Sequence, residues 1–506
     1  MLQLMEKERS RPQFIWTILK EIYAHPDNYK KNQGKIHQRI KKWLIKRSNT
    51  YNIPLKIQED SIGNIFVRKP ALSGCENYPP ILLQAHYDIY DKKESSIYDF
   101  QGSSISFQEK WIEMIGTPIF DDSIVGVALI LAVLINKNEI FEHGPIEALF
   151  TVKRDDRFVG ALNLDVDYFN IQSKFLLNFD SVDLGAITNG TAGCAEFLYS
   201  KKATPIDPGE GKYLTFYKLS ISGLKGGELG SEIHFFRANA IKLIARALSS
   251  LSEHMQINLA DWSGGDLYRF IPRKSTVIFA VHTDEEFKVE QILKEEKGTI
   301  IKKYRTFTEY GSNLEPNLCI QWEKTKAKPY FSKKISESAI ALANLIPHGL
   351  SRSSSVENEF GRISNNFAKV ETTRSAIRFH SKSRGDNAPE FKAFNRTLIQ
   401  LGDLGGWKVK NDYTFPVWVP QKEKEFLNFV KHKYEDILQK PIRIDKLYWV
   451  LEPGIIAKQI PQMQALSIGP TEIGVFPENY KVSVYDIQIL FRLLRTILKN
   501  LNQISM

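Results

Sequence analysis

The run VGVALILAVLI, residues 125–135, constrains the fold more than any other stretch. It carries no charge and shows no polar face, so a helix formed there must be covered on every side. It is far shorter than the roughly 20 apolar residues that cross a bilayer. The run therefore belongs inside a globular core, and its neighbours must supply the cover. Apolar segments of strand character flank it: SIGNIFVRK and PPILLQAHYDIY before, IEALFTVK and KFLLNFDS after. Strands alternating with helical segments predict an α/β layer with a largely parallel or mixed sheet.

At 506 residues the chain exceeds one compact core, and two or three domains are expected. A helical region at about residues 12–50 leads into the α/β layer. After TNGTAGC the pattern changes. KYLTFYKLSISGL alternates like a half-exposed strand, GSEIHFFRANAIKLIARALSSL reads as an amphipathic helix, and STVIFAVHT follows as a strand. A second set of strands, NLCIQWEKT, SNNFAKVETT and SAIRFHSKS, comes with the helices SKKISESAIALANLI and NAPEFKAFNRTLIQLGDLG. Two strand, helix, strand arrangements suggest an α+β domain resembling a doubled split-βαβ unit. Around FPVWVP the chain returns to the first domain and closes with the helix VYDIQILFRLLRTILKNL. The expected division is residues 1–190 with 416–506, and 191–415 between them.

Hydrophobic content of 42% and charged content of 25% are those of an ordinary globular protein. The opening MLQLMEKERSRP places charges where a signal peptide needs its apolar core, so export is not expected. Cys75, Cys194 and Cys319 are widely spaced and include no CxxC pair, which fits free thiols in a reducing cytosol. Of the net charge of +10, most sits in the first 50 residues, with 12 basic against 4 acidic side chains. There Ile36, Ile40 and Leu44 recur at helical spacing, so the basic residues read as the solvated face of a surface helix. No nucleic-acid motif accompanies them, and nucleic acid is not the expected partner. GGELGS lacks the order of a dinucleotide loop, and no GxSxG nucleophile elbow is present.

The residues that can carry chemistry gather at strand ends. In QAHYDIY, His86 and Asp88 stand two apart near the end of an apolar strand, so both side chains leave the same face. Taken alone, such a pair is more often hydrogen-bonded than metal-binding. Three more carboxylates follow apolar segments: Asp122 in TPIFDDSIVG, Asp155 after LFTVK, and Asp180 after KFLLNF. One imidazole and several carboxylates converging on one sheet edge suit Zn²⁺. Asp88 could then orient the imidazole from behind.

With these segments in view the chain resembles the cytosolic zinc dipeptidases of the aminoacyl-histidine (beta-alanyl-histidine) dipeptidase type. The resemblance runs from about residue 12 to the end. It includes QAHYD, GTPIFDDSIVG, HGPIEALFTV, LLNFDS, GLKGGELGSEIHFFRANAIKLIARAL, ISNNFAKVE, SKSR, FPVWVP and SIGPT. It implies a zinc-peptidase catalytic domain, a mixed sheet flanked by helices, interrupted by an α+β lid domain that often dimerises. It further implies a dipeptide substrate and two zinc ions bridged by one Asp, with a Glu as general base. His86, Asp122 and Asp180 match the protein ligands of one zinc, and Asp88 the residue that orients the imidazole. Asp155 stands at a ligand position of the second zinc. The late His expected shortly after SIGPT is replaced by Val475 or a neighbour.

At the general-base position the resemblance places Arg154, within FTVKRDDRFVG. Arginine is permanently protonated and has no acceptor, so it is not competent as a base. Two readings of KRDDR remain: an exposed charged turn, or a guanidinium standing in for the second ion beside Asp121, Asp122 or Asp155. Glu228, in LKGGELG, stands where the resemblance expects a His that polarises the substrate carbonyl. An anion there would oppose charge developing in a tetrahedral transition state. Arg237, Asn239, Asn365, Asn366 and Arg384 match polar positions near the substrate groove. Two functional expectations result. One is a dipeptidase with a single remaining zinc site and impaired activity, its base coming from Asp155, Asp156 or Asp121. The other is a catalytically silent relative that binds a small molecule or a protein partner.

Overall fold

The structure, a computed structural model, is described for residues 12–23, 33–87, 104–107, 110–115, 123–135, 141–152, 157–209, 213–230, 232–305, 314–352, 362–421, 424–475 and 478–504. The chain divides into two units. The first comprises Met1–Thr191, Trp418–Leu447 and Leu451–Met506, and the second Ala192–Val417 with Tyr448–Val450.

The first unit begins with α1 (Pro12–Tyr23), α2 (Gln33–Tyr51), β1 (Lys56–Glu59), β2 (Ile65–Lys69) and β3 (Ile81–His86). It continues through β4 (Ser104–Phe107), β5 (Trp111–Ile115), α3 (Ser123–Ile135), β6 (Ile146–Thr151), α4 (Val159–Leu162), α5 (Val166–Phe169), β7 (Phe175–Asn178) and β8 (Ala186–Thr191). Eight strands form one sheet in the order β1-β2-β6-β3-β7, followed by β19 (Gln464–Ser467), β8 and β18 (Arg443–Leu447). The centre is parallel, with β3 pairing to β6 and β7, and β7 to β19. These strands are buried along their whole length, as their largely apolar sequences lead one to expect of central parallel strands. A smaller antiparallel sheet joins β4 and β5 to β20 (Glu472–Val475) and β21 (Glu478–Ser483).

The apolar run is α3. From Ile124 to Ile135 its aliphatic side chains are at most 1% exposed. Each such Leu or Ile stabilises the fold by roughly 1.5–3 kcal/mol over an exposed one. Ile36, Ile40 and Leu44 of α2 and Ile15, Ile18 and Leu19 of α1 belong to the same core, as do Leu490, Leu493 and Leu494 of the last helix (Val484–Asn500). Gly126 permits the closest approach: a Cβ there would lie 2.6 Å from Phe179 Cβ and 3.2 Å from Ala85 Cβ. Among the described residues no helix is long and apolar enough to cross a membrane.

The second unit is a nine-stranded antiparallel sheet with helices, an α+β arrangement. Its core holds Tyr217, Trp262, Phe279, Phe367 and Phe379 together with the apolar face of a helix at Ala240–Ser252. The mixed α/β class and the α+β second part agree with expectation. The amphipathic helix differs: it starts at Ala240, ten residues later than the pattern GSEIHFF suggested. Phe236 takes a left-handed backbone (φ 54), and Asn239 caps the helix by accepting from the amides of Ile241 and Lys242. The strand Asn258–Gly264 was not foreseen, since NLADWSG has no clean alternation; it carries a bulge between Leu259 and Asp261.

Candidate active site

His86 is the last residue of β3, and Asp180 lies two residues beyond β7 on the neighbouring parallel strand. Both side chains are fully buried, with Nε2 of His86 3.4 Å from Oδ1 of Asp180. That separation exceeds the usual 2.7–3.2 Å of an N–H···O bond. It suits two donors sharing one small cation: ligands each about 2 Å from a tetrahedral zinc stand roughly 3.3 Å apart. An imidazole nitrogen and a carboxylate oxygen are the donor types zinc takes, so this pair fits the metal the sequence implied. Among the described residues no three His, Cys, Asp or Glu side chains come together as a metal-holding group. Asp88, Asp121, Asp122, Arg154, Asp155 and Asp156 lie outside the described residues.

The backbone around the pair is tightly held. Gly469, in SIGPT, touches the loop after Asp180 so closely that a Cβ would fall 1.3 Å from the Ser181 carbonyl oxygen. Asp183 N donates to Pro470 O at 3.0 Å and Leu184 N to Thr471 Oγ1 at 3.2 Å. Val475 ends β20, and its side chain is outside the described residues. On either side of residues 153–156 the chain is pinned by Asn64, which accepts from Val152 N at 3.2 Å and donates to Gly160 O at 3.0 Å. Arg157 (φ 62) and Phe158 (φ 56) are consecutive non-glycine residues in the left-handed region. Such backbone costs roughly 1–2 kcal/mol per residue and clusters near functional sites.

Beneath the pair lies a polar row that the sequence gave no hint of. Gln84, Asn178, Ser467 and Thr188 are register partners on adjacent strands of the central sheet. Each of the four is at most 2% exposed. Glu452, the first residue of a helix at Glu452–Gln459, is buried and accepts from Gln84 Nε2 and Thr151 Oγ1 at 2.6 Å each. Asn178 Nδ2 donates to Gln84 Oε1 at 2.6 Å, and Asp180 N donates to Asn178 Oδ1 at 3.0 Å.

In the second unit, taken by itself, the residues expected near substrate are engaged within the unit: Arg384 with Glu228, the others mainly with backbone groups. Arg384 is buried, its Nη1 donating to Tyr448 O at 2.8 Å and its Nη2 reaching Glu228 Oε1 at 3.3 Å. Glu228 Oε2 also accepts from Gly230 N. The anion expected to oppose the transition state is thus held against a cation. The Gly-rich loop can wrap Arg384 because a Cβ at Gly230 would lie 2.2 Å from Nη1. Arg237 donates to Gly226 O and pairs with Glu232, each at 2.6 Å. Asn239 serves as helix cap and donates to Phe367 O at 2.8 Å, while Asn366 donates to Phe270 O at 2.8 Å and Asn365 to Pro347 O at 2.7 Å. Burial pushes the Tyr448 hydroxyl up to about 12, and it donates to Ser364 Oγ at 3.0 Å.

Compared with known proteins, the chain is 30% identical to the cytosol non-specific dipeptidase of Escherichia coli (strain K12) over 510 residues, spanning 98% of this chain and 99% of that one. The chain belongs to that dipeptidase family. A peptidase dimerisation domain is matched at residues 219–307, inside the second unit. Among solved structures, the aminoacylhistidine dipeptidase from Vibrio alginolyticus matches with a TM-score of 0.74 and 25% identity, over 98% of this chain and 97% of that one. The aminopeptidase PepT from Bacillus cereus shares the fold alone, at a TM-score of 0.52 and 12% identity, over 97% and 99% of the two chains.

Proposed function

We propose that this dipeptidase-family chain hydrolyses dipeptides or related small amides with a single zinc ion, at a rate well below that of a fully equipped relative. The observation that carries the reading is the buried His86–Asp180 pair, 3.4 Å apart at the ends of adjacent parallel strands. Asp122 would complete the ligand set, and Asp88 would orient the imidazole. A zinc ion held there would polarise the scissile carbonyl and acidify water. Asp155 is the remaining candidate for a second ion, and Val475 supplies no donor to it. Arg154 cannot accept a proton, so Asp155, Asp156 or Asp121 must do so. Losing general-base help commonly costs about 10² to 10⁴ in rate. Support for a homodimer comes from the matched dimerisation domain, and for a cytosolic setting from the free thiols Cys75, Cys194 and Cys319.

One observation favours the second reading, a silent binding protein: Arg384, the group suited to a substrate carboxylate, is already paired with Glu228. Turnover decides between them. Zinc-loaded protein assayed on beta-alanyl-histidine and simple dipeptides should show slow hydrolysis that disappears in Asp180→Ala. No hydrolysis by wild type at any zinc level favours the silent reading, and rates equal to those of the Escherichia coli relative contradict an impaired site.

A further inference from the structure

We infer that Glu452 is a positioning residue: its buried carboxylate sets the direction of a hydrogen-bond relay that fixes Asp180 at the metal site. The inference rests on the zinc reading above and adds a residue to it. Gln84 and Asn178 each carry an amide whose oxygen and nitrogen could exchange places by rotation. Something must choose between the two senses. A carboxylate only accepts, so Gln84 turns its NH₂ toward Glu452, at 2.6 Å, where Thr151 Oγ1 also donates. That leaves Gln84 Oε1 to accept from Asn178 Nδ2 at 2.6 Å. Asn178 in turn presents Oδ1 to the Asp180 amide at 3.0 Å and to the Ser467 hydroxyl. In the opposite sense an NH₂ group of Asn178 would face the N–H of Asp180, donor against donor, in a fully buried place.

Gln84, Thr151, Asn178, Asp180, Glu452 and Ser467 are all 0% exposed. Burying a carboxyl group and two amides in the core is costly, and a row of aliphatic residues would be the more stabilising choice. Oriented polar chains reinforce each bond along them, so one strong acceptor at the end has an effect several residues away. Gln84 also stands two residues before His86 on the same strand face, so the row braces both members of the pair.

A double-mutant cycle on the full-length protein tests this. Zinc affinity is measured by competition with a chromophoric chelator for wild type, Glu452→Gln, Asn178→Ala and the double variant, alongside thermal unfolding of the metal-free proteins. Loss of a residue that supports ligands typically costs about 10- to 100-fold in metal affinity. That loss is expected for Glu452→Gln in the wild-type background. Once Asn178→Ala has cut the relay, the same change should cost less than about twofold, as coupled sites require. Equal losses in both backgrounds, or a lowered unfolding temperature with unchanged zinc affinity, would assign Glu452 a purely structural role and overturn the inference. Should Glu452→Gln not fold, Gln84→Met interrupts the next link and carries the same expectation. A wild type that binds no zinc would overturn the metal-site reading, and this inference with it.

Discussion

The Glu228 carboxylate lies 3.3 Å from the Arg384 guanidinium, across 156 positions of sequence. The pair gives an internal acid to a side chain that would otherwise suit a substrate's terminal carboxylate. Glu228→Gln removes the competing anion. In that variant a dipeptide should gain roughly tenfold in affinity over its C-terminal amide, because a charge-assisted hydrogen bond contributes about 1.5–3 kcal/mol. Calorimetry on both ligands checks this. Unchanged discrimination would place Arg384 outside substrate recognition.

Gly126 offers a test of how closely α3 must rest on the strand ends. Glycine to alanine inside a helix ordinarily stabilises by roughly 0.5–1 kcal/mol. Here the new methyl would lie 2.6 Å from Phe179 Cβ, next to Asp180. Overpacking at such a place costs about 1–3 kcal/mol, so Gly126→Ala should be destabilising. A chemical denaturation midpoint at or above that of wild type would contradict the packing.

Much of the fold was legible because burial leaves a pattern. The uncharged run at residues 125–135 announced a helix covered all round, and ILLQAH and FLLN announced central strands by opening on consecutive apolar residues. His86 and Asp180 were legible as the imidazole and the carboxylate at the ends of those segments. The row of Gln84, Asn178 and Ser467 was not, because each is an uncharged polar residue among apolar neighbours on its own strand, and only register brings them together. The Glu228–Arg384 pair was hidden likewise: the two residues were read as separate neighbours of substrate, and only tertiary contact makes one neutralise the other. The late start of the helix at Ala240 turned on a left-handed Phe236, a conformation that side-chain periodicity does not encode.

Stability should rise with pH in the alkaline range before it falls. Burial lowers Lys69 and Lys242 to about 8, while Lys69 donates to Val133 O at 2.8 Å and Lys242 to three carbonyls at the end of a helix. In the unfolded chain both regain an ordinary lysine value of about 10.4. Between these limits the unfolded state binds more protons, so folding is favoured progressively as pH increases. Above about 10 the order reverses, since burial holds Tyr217 and Tyr448 at about 12 and unfolded tyrosines ionise first. Denaturation midpoints should therefore climb from pH 8 and turn over near pH 10. Lys69→Met should flatten the climb. A steady decline from pH 8 upward would contradict the burial of these amines.

The central claim is that this chain holds one metal ion where the resemblance implies two, because Arg154 and Val475 or a neighbour stand where a base and a ligand are expected. Zinc content of the full-length protein after zinc loading and exhaustive dialysis, measured by inductively coupled plasma mass spectrometry, tests it most directly. One zinc per chain is predicted, absent in His86→Ala and Asp180→Ala, and approaching two in the double variant Arg154→Glu, Val475→His. Two zinc ions in the wild type, or one that survives removal of His86 and Asp180, would contradict it.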